Sequence, residues 1–168
     1  PLDWAIVKRR DSTSDWHVGH SGSGQGVNFA YHLNLNSTDT LSGSAPYHMG
    51  TQNATNGDRL YLAEGGLTSS ATYVAYVWQE RPGYSKFGSY TGNGSADGPF
   101  IHLGFRPAWF LQKKTSGTGG WYLFDNKRSG FNVDNDMLVP NATDAEYDGQ
   151  TYPRLDFVSN GVKWRDSG

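Results

Sequence analysis

The stretch Trp4-Ala5-Ile6-Val7-Lys8-Arg9 is followed, after the polar segment 10–15, by Trp16-His17-Val18-Gly19-His20. Each run is short, rich in aromatic and β-branched residues, and bounded by Asp, Ser and Thr. This pattern is typical of two strands joined by a turn. The same arrangement returns 105 residues later as Trp109-Phe110-Leu111-Gln112-Lys113 and Trp121-Tyr122-Leu123-Phe124-Asp125.

The two copies align without a gap from Trp4 to Asp39. The recurrence of two tryptophans at one spacing, together with an Asn-x-Thr-Asp sequence, indicates an internal repeat of about 105 residues. Residues 1–80 are then the later part of one unit and residues 81–168 most of the next, so we expect a segment of a longer repetitive protein. The alternative is that hairpins with Trp anchors recur in any β protein. The matched pairs are Trp4/Trp109, Lys8/Lys113, Thr13/Thr118, Trp16/Trp121, Leu33/Leu138, Asn36/Asn141, Thr38/Thr143 and Asp39/Asp144.

The composition predicts an all-β fold. The chain has 22 glycines and 14% aromatic residues, and its short apolar runs are separated by Gly, Ser, Thr, Asn and Asp. These features favour an antiparallel β-sandwich, jelly-roll-like in character. We expect strands that include residues 87–90, a two-residue hairpin turn at Asn160-Gly161, and equivalent core positions for the four tryptophans of the repeat.

Several classes of protein are disfavoured. Charged residues make up 18% of the chain and the net charge is −2, which does not suggest binding to nucleic acid or anionic lipid. Apolar runs are too short for a membrane span. The chain contains no cysteine, which excludes disulfides and thiol chemistry.

The segments Tyr84–Gly94 and Gly104–Trp109 carry a resemblance to a known group of proteins. With Trp121–Asn126, Leu155–Lys163 and Tyr73–Trp78, they resemble a repeat module of large bacteriophage virion proteins, in marine phages in particular. The resemblance implies a tail-fibre or other virion-surface protein that contacts other copies or repeats of itself. An association with concanavalin-like or lamin-G-like jelly rolls is a further analogy.

Two sets of oxygen-bearing side chains are candidate ligand sites. Asn36 with Asp39, and Asn141 with Asp144, recur in both units and either bind a ligand or cap local turns. Asp134 and Asp136 alternate in an acidic loop. They either hold Ca²⁺, which accepts flexible oxygen cages, or stabilise a turn. No other cofactor is expected.

Aromatic side chains near loops suggest glycan recognition. Exposed aromatic faces stack on sugar rings, and the alternative is that these rings simply pack in the core. A lectin-like module is therefore the second interpretation. Paired carboxylates are scarce, with Glu64 and Glu80 as a conceivable pair, so a polysaccharide depolymerase is less favoured and we expect no enzyme. The candidate residues are Tyr84, Tyr90, Tyr122, Tyr147 and Tyr152.

Overall fold

The computed structural model describes residues 2–23, 31–41, 49–52, 59–62, 70–129, 132–134, 136–148 and 155–166. Within these ranges the regular structure consists of antiparallel strands and one turn of 3-10 helix at Ser21–Ser23. The all-β prediction is therefore confirmed. The strands are β1 (Trp4–Arg9), β2 (Trp16–His20), β3 (His32–Asn34), β4 (Met49–Gln52), β5 (Arg59–Leu62), β6 (Tyr73–Trp78), β7 (Phe100–His102), β8 (Trp109–Lys113), β9 (Trp121–Asp125), β10 (Leu155–Val158) and β11 (Gly161–Trp164).

The chain divides into two compact units. The first comprises Pro1–Glu80 with the short segments Phe87–Ser89 and Lys114–Gly119. The second comprises Arg81–Lys86, Tyr90–Lys113 and Gly120–Gly168. The residues from 81 to 120 are therefore divided between the two units according to their contacts, and not by their order in the chain alone.

In the first unit, β1 is the central element. It lies in a four-stranded sheet of order β3-β2-β1-β6, and β4 and β5 form a separate two-stranded sheet. Ala5 and Val7 are fully buried on one face of β1, where Leu60 and Tyr73 pack against them. Successive side chains of a strand alternate between faces, so Trp4 and Ile6 lie on the other face, and they are also buried.

The second unit is built around Trp164. A three-stranded sheet of order β10-β11-β7 and the hairpin β8-β9 enclose an aromatic and aliphatic core. The Phe124 ring meets Trp164 edge-on, with a centroid distance of 5.8 Å and an interplanar angle of 86°. Gly161 lets β11 approach β7 closely, because a Cβ there would lie 2.1 Å from the Ile101 carbonyl oxygen. The buried residues of this core are Phe124, Met137, Leu155, Phe157, Val162 and Trp164.

The hairpins β1-β2 and β8-β9 have the same strand register at an offset of 105 residues. The second strand of each hairpin also pairs with the segment that follows it, again at an offset of 105 residues. These pairs are Val18–Leu33 and Leu123–Leu138. Register is strongly specified in a sheet, because a slip of one residue moves every side chain to the opposite face. The hairpin pairs are Trp4–His20, Ile6–Val18 and Lys8–Trp16 in the first, and Trp109–Asp125, Leu111–Leu123 and Lys113–Trp121 in the second.

Two local predictions were wrong. Residues 87–90 form no strand; Phe87 is held by ring packing against Trp4 with a centroid distance of 6.0 Å, and not by a backbone ladder. The hairpin turn lies one residue earlier than expected, at 159–160, because Val158 pairs with Gly161, the first residue of β11. Neither turn residue has a positive φ, so this is not the expected turn with two positive-φ positions.

The four tryptophans do not occupy equivalent core positions, which corrects a third prediction. Trp4 and Trp121 are buried, with exposed fractions of 6% and 4%, whereas Trp109 is 47% exposed. Trp16 is half-buried, and the Lys8 ammonium lies 5.6 Å from its ring centroid. Trp4 differs from Trp109 because Trp78 of β6 and Phe87 both pack on Trp4, with ring centroids 4.5 Å and 6.0 Å away.

Replacement of Trp121 by Ala should lower the free energy of unfolding by about 3–5 kcal/mol, because it leaves a cavity in a buried site. Replacement of Trp109 by Ala should cost only roughly 1 kcal/mol, because about half of that side chain is already in water. Chemical denaturation of the two variants measures the difference. Equal losses of stability would contradict the burial described above.

Candidate binding surface

The two repeated asparagines fix the start of a strand. The Trp16 backbone N–H donates to Asn36 Oδ1 at 2.9 Å, and the Trp121 N–H donates to Asn141 Oδ1 at 2.6 Å. Asn36 Nδ2 also donates to Asp15 Oδ1 at 2.8 Å. These bonds engage both amides in the turn-stabilising role that the sequence left open beside ligand binding.

The two repeated aspartates also lie in local turn networks. Asp39 accepts a hydrogen bond from Ser37 Oγ at 2.5 Å, and its own N–H donates back to that hydroxyl at 2.9 Å. Asp144 accepts from the Tyr147 hydroxyl at 2.7 Å, and this bond raises the pKa of Tyr147. Both carboxylates are exposed, so a ligand role remains a prediction.

The candidate tyrosines do not converge on one site. Tyr84 is 82% exposed and Tyr147 is 44% exposed. Tyr90 and Tyr122 pack instead against the core of the second unit. The Tyr90 hydroxyl donates to Gln112, its ring stacks on Trp164 with centroids 6.4 Å apart, and burial raises its pKa. Tyr152, like Glu64 of the conceivable acid pair, lies outside the described residues.

Asp134, half of the candidate calcium site, is a buried carboxylate. It is 2% exposed, its backbone pairs with Leu155, and the Ser129 hydroxyl donates to Oδ1 at 3.2 Å. Burial is the largest cause that raises the pKa of Asp134 to about 6; the negative charges of Asp136 and Asp125 act in the same direction, and the Ser129 hydrogen bond opposes the shift. Within the described ranges, no three acidic or histidine side chains come together as a metal site, so Ca²⁺ binding remains a prediction.

An aromatic surface on β6 was missed by the sequence analysis. Tyr76 and Trp78 are 49% and 38% exposed, and their rings stack with centroids 6.4 Å apart at an interplanar angle of 26°. Trp78 in turn rests on Trp4, which Phe87 also contacts. We call these four residues, with His20, the β6 aromatic surface.

The edges of the β6 aromatic surface carry polar groups. His20 meets the Phe87 ring edge-on at 6.2 Å and accepts a hydrogen bond at Nδ1 from the Gly22 N–H at 2.8 Å. Burial lowers the pKa of His20. Asp3 accepts from the Glu80 N–H at 2.7 Å and from the Ser21 hydroxyl at 3.2 Å. An apolar platform with a few fixed polar groups at its margin is the composition of a small-ligand surface.

The comparison with protein families gives one match. A family model described as a domain of unknown function, DUF7483, covers residues 3–168. The chain belongs to the DUF7483 family. No curated protein matches the DUF7483 domain. No solved structure matches it either. In the described residues of this DUF7483 domain, no helix is long and apolar enough to cross a membrane.

A signal for the β6 aromatic surface was present in the sequence. In Tyr73–Trp78 of the DUF7483 domain, alternate residues place Tyr76 and Trp78 on one face, and charged residues are absent. The same period fits a buried face equally well, so the sequence pattern alone does not show whether these rings are exposed. Only the position of β6 at a sheet edge distinguishes an exposed platform from a core.

The buried Asp134 of the DUF7483 domain should make its stability depend on pH. Its pKa is about 6 in the folded state and near 4 when unfolded, so the folded state retains a proton that the unfolded state loses. Stability should therefore fall as pH rises from about 4 to 6, by about 3 kcal/mol as an upper bound.

Asp134→Asn should remove most of this dependence and stabilise the domain at pH 7. Denaturation midpoints measured across this pH range check the prediction. Asp148→Asn, at an exposed position of the same unit, is the matched control and should leave the pH profile unchanged. An Asp134→Asn variant with the profile of the original chain would show that Asp134 is not the responsible group.

Proposed function

We propose that the chain is a non-enzymatic structural and adhesive module of a bacteriophage tail fibre or similar virion appendage. In this proposal it is an antiparallel β-sandwich of jelly-roll character, built from an internal repeat of about 105 residues, with units at 1–80 and 81–168. The observation that carries the proposal is that one hairpin is constructed twice, with the same register and the same asparagine bond, at a single offset.

The recurrence extends beyond the strands into their connections. The bond that closes each hairpin recurs as Ser21 N–H to Asp3 C=O and Asn126 N–H to Ala108 C=O. The turn after the segment that pairs with the second hairpin strand also recurs. It is closed by Ser37 N–H to Asn34 C=O in one copy and by Ala142 N–H to Val139 C=O in the other. Unrelated hairpins share turn sequences, but they have no reason to share a register, a side-chain bond and two loop bonds at one offset. This agreement supports duplication.

A duplicated β module suits an extended appendage. In repeat proteins each unit packs mainly on its neighbours, so units add length to a stiff projection. The chain contains no cysteine, so disulfides do not contribute to the packing of these units. The resemblance of Tyr84–Gly94 and Gly104–Trp109 to modules of phage virion proteins supports location at the virion surface and contact with other repeats or copies.

An antibody raised against the chain should label assembled phage particles on the tail or a fibre. Immunogold electron microscopy of particles from a phage that encodes the chain tests this directly. A matched phage lacking the coding sequence is the control. Label confined to the unassembled lysate fraction, with purified particles unlabelled, would contradict the proposal.

A second candidate function, glycan binding, is favoured by the β6 aromatic surface. Tyr76 and Trp78 present stacked, half-exposed rings on β6, and the buried Trp4 packs beneath Trp78. Sugar rings have apolar faces that pack on aromatic rings, while Asp and Glu oxygens accept hydroxyl hydrogen bonds. Such a surface would serve attachment of a virion to host polysaccharide.

Tyr76→Ala should weaken binding of the chain to bacterial surface glycans by about tenfold or more, because it removes half of the stacked pair. Tyr76→Phe should bind as the original chain does, because the ring is retained. Phe100→Ala, which removes an exposed aromatic side chain of the second unit, is the matched control. A glycan array followed by titration measures these effects. Undiminished binding by Tyr76→Ala, or no bound glycan at all, would contradict this second function.

A further inference from the structure

The two equivalent strands β1 and β8 have different neighbours. β1 lies between β2 and β6, whereas β8 belongs to a two-stranded sheet with β9 among the residues that the structure describes. The effect on the equivalent tryptophans is large: Trp4 is 6% exposed beneath Trp78, and Trp109 is 47% exposed. In the first unit, Trp78 of β6 thus packs on Trp4, whereas the equivalent Trp109 on β8 is half-exposed.

The covering strand would meet the same side chains on β8 as on β1. On β1, β6 places Trp78 opposite Trp4, Tyr76 opposite Ile6 and Val74 opposite Lys8. The corresponding residues of β8 are Trp109, Leu111 and Lys113, which match the β1 residues in size and charge. Cross-strand side-chain pairs determine much of the stability of a sheet. A strand that fits β1 therefore fits β8.

The backbone groups of β8 are oriented for the same pairing. Arg10 N–H donates to the Thr72 carbonyl at 2.8 Å, and antiparallel pairs alternate, so the Ile6 backbone also faces β6. On β8, the Ala108 carbonyl accepts from Asn126 and thus faces the β9 side. By the same alternation Phe110 faces β9, and Leu111 directs its N–H and carbonyl to the opposite edge.

We propose that the outer edge of β8 is a docking site for an extended strand of the Tyr73–Trp78 type, supplied by a neighbouring repeat of the same module. The strand binds antiparallel, with its tryptophan over Trp109 and its tyrosine opposite Leu111. This inference rests on the proposed repeat architecture and specifies the contact that joins one repeat to the next. Strand addition at an exposed sheet edge is a general mode of recognition, with backbone bonds giving affinity and side chains giving specificity.

A synthetic peptide with the sequence of residues 72–80 tests the docking site in trans. Added to the full chain, it should slow exchange of the Leu111 amide hydrogen by about tenfold or more, because that N–H becomes bonded to the peptide. The Phe110 amide, which faces β9, should be unaffected. Hydrogen exchange followed residue by residue in NMR spectra measures both. Trp109→Ala should weaken peptide binding by about tenfold while leaving the fold intact, because Trp109 is half-exposed.

Two N-methylated peptides of identical composition serve as matched controls. Methylation of the Tyr76 amide blocks the edge that pairs with β1 and should abolish protection of Leu111. Methylation of the Val77 amide lies on the other edge and should leave protection unchanged.

Three outcomes would overturn the proposal: Leu111 unprotected at saturating peptide, equal binding of both methylated peptides, or protection at Ala75 and Val77 of the outer β6 edge instead. If antibody labels the virions but any of these three outcomes is found, the proposed virion function holds and only the strand-docking site is rejected. If the peptide protects Leu111 but antibody does not label the virions, the strand-docking site holds and the proposed virion function is rejected.

Discussion

The hydrogen bond from a strand-initial tryptophan N–H to an asparagine side chain twenty residues further along the chain constrains each hairpin and the segment after it. It holds Trp16 at the start of β2, and Trp121 at the start of β9, against the turn that contains the asparagine. With that point fixed, the strand pairs can form in one register only, since a slip of one residue would expose the core face. The placement of Trp4, Trp121 and Phe124 in their cores depends on this register.

The same local sequence acquires different properties in the two units because of what lies beside it. Trp4 and Trp109 occupy the same position in the hairpin, yet one is buried and the other is half-exposed. The cause is not the hairpin but its neighbours, because Trp78 of β6 and Phe87 both pack on Trp4. Trp109, whose counterpart in the first unit packs beneath Trp78, is thus half-exposed in the second. The edge of a sheet is a kind of surface that proteins use for contact with partners.

The features predictable from the sequence were those that depend on local pattern. Aromatic and β-branched runs bounded by polar turns correctly located β1, β2, β8 and β9. Features that depend on distant partners were not predictable. Residues 87–90 have the composition of a strand but pack by their rings. The exposure of Trp109 and of the β6 aromatic surface follows from which strand lies at an edge, and sequence alone does not give sheet order.

In the candidate site, too, features set by local sequence were predictable and features set by distant contacts were not. A turn role for Asn36 and Asn141 was one of the two alternatives that residue type and spacing left open, because Asn side chains commonly satisfy nearby amides. The exposure of each tyrosine did not follow, since Tyr90 and Tyr84 lie in similar glycine-rich surroundings. The burial of Asp134, and hence its raised pKa, depends on its pairing with Leu155, which is distant in sequence.

The central claim is that the two hairpins share one register at an offset of 105 residues, and introduced cysteine pairs test it most directly because the chain contains no cysteine. Disulfides require closely opposed Cβ atoms, as in directly facing strand residues. The account predicts complete oxidation of Ile6→Cys with Val18→Cys, and of Leu111→Cys with Leu123→Cys. It predicts little oxidation of the one-residue slips, Ile6→Cys with His17→Cys and Leu111→Cys with Tyr122→Cys. A disulfide formed preferentially by either slipped pair, or by only one of the two in-register pairs, would contradict the account.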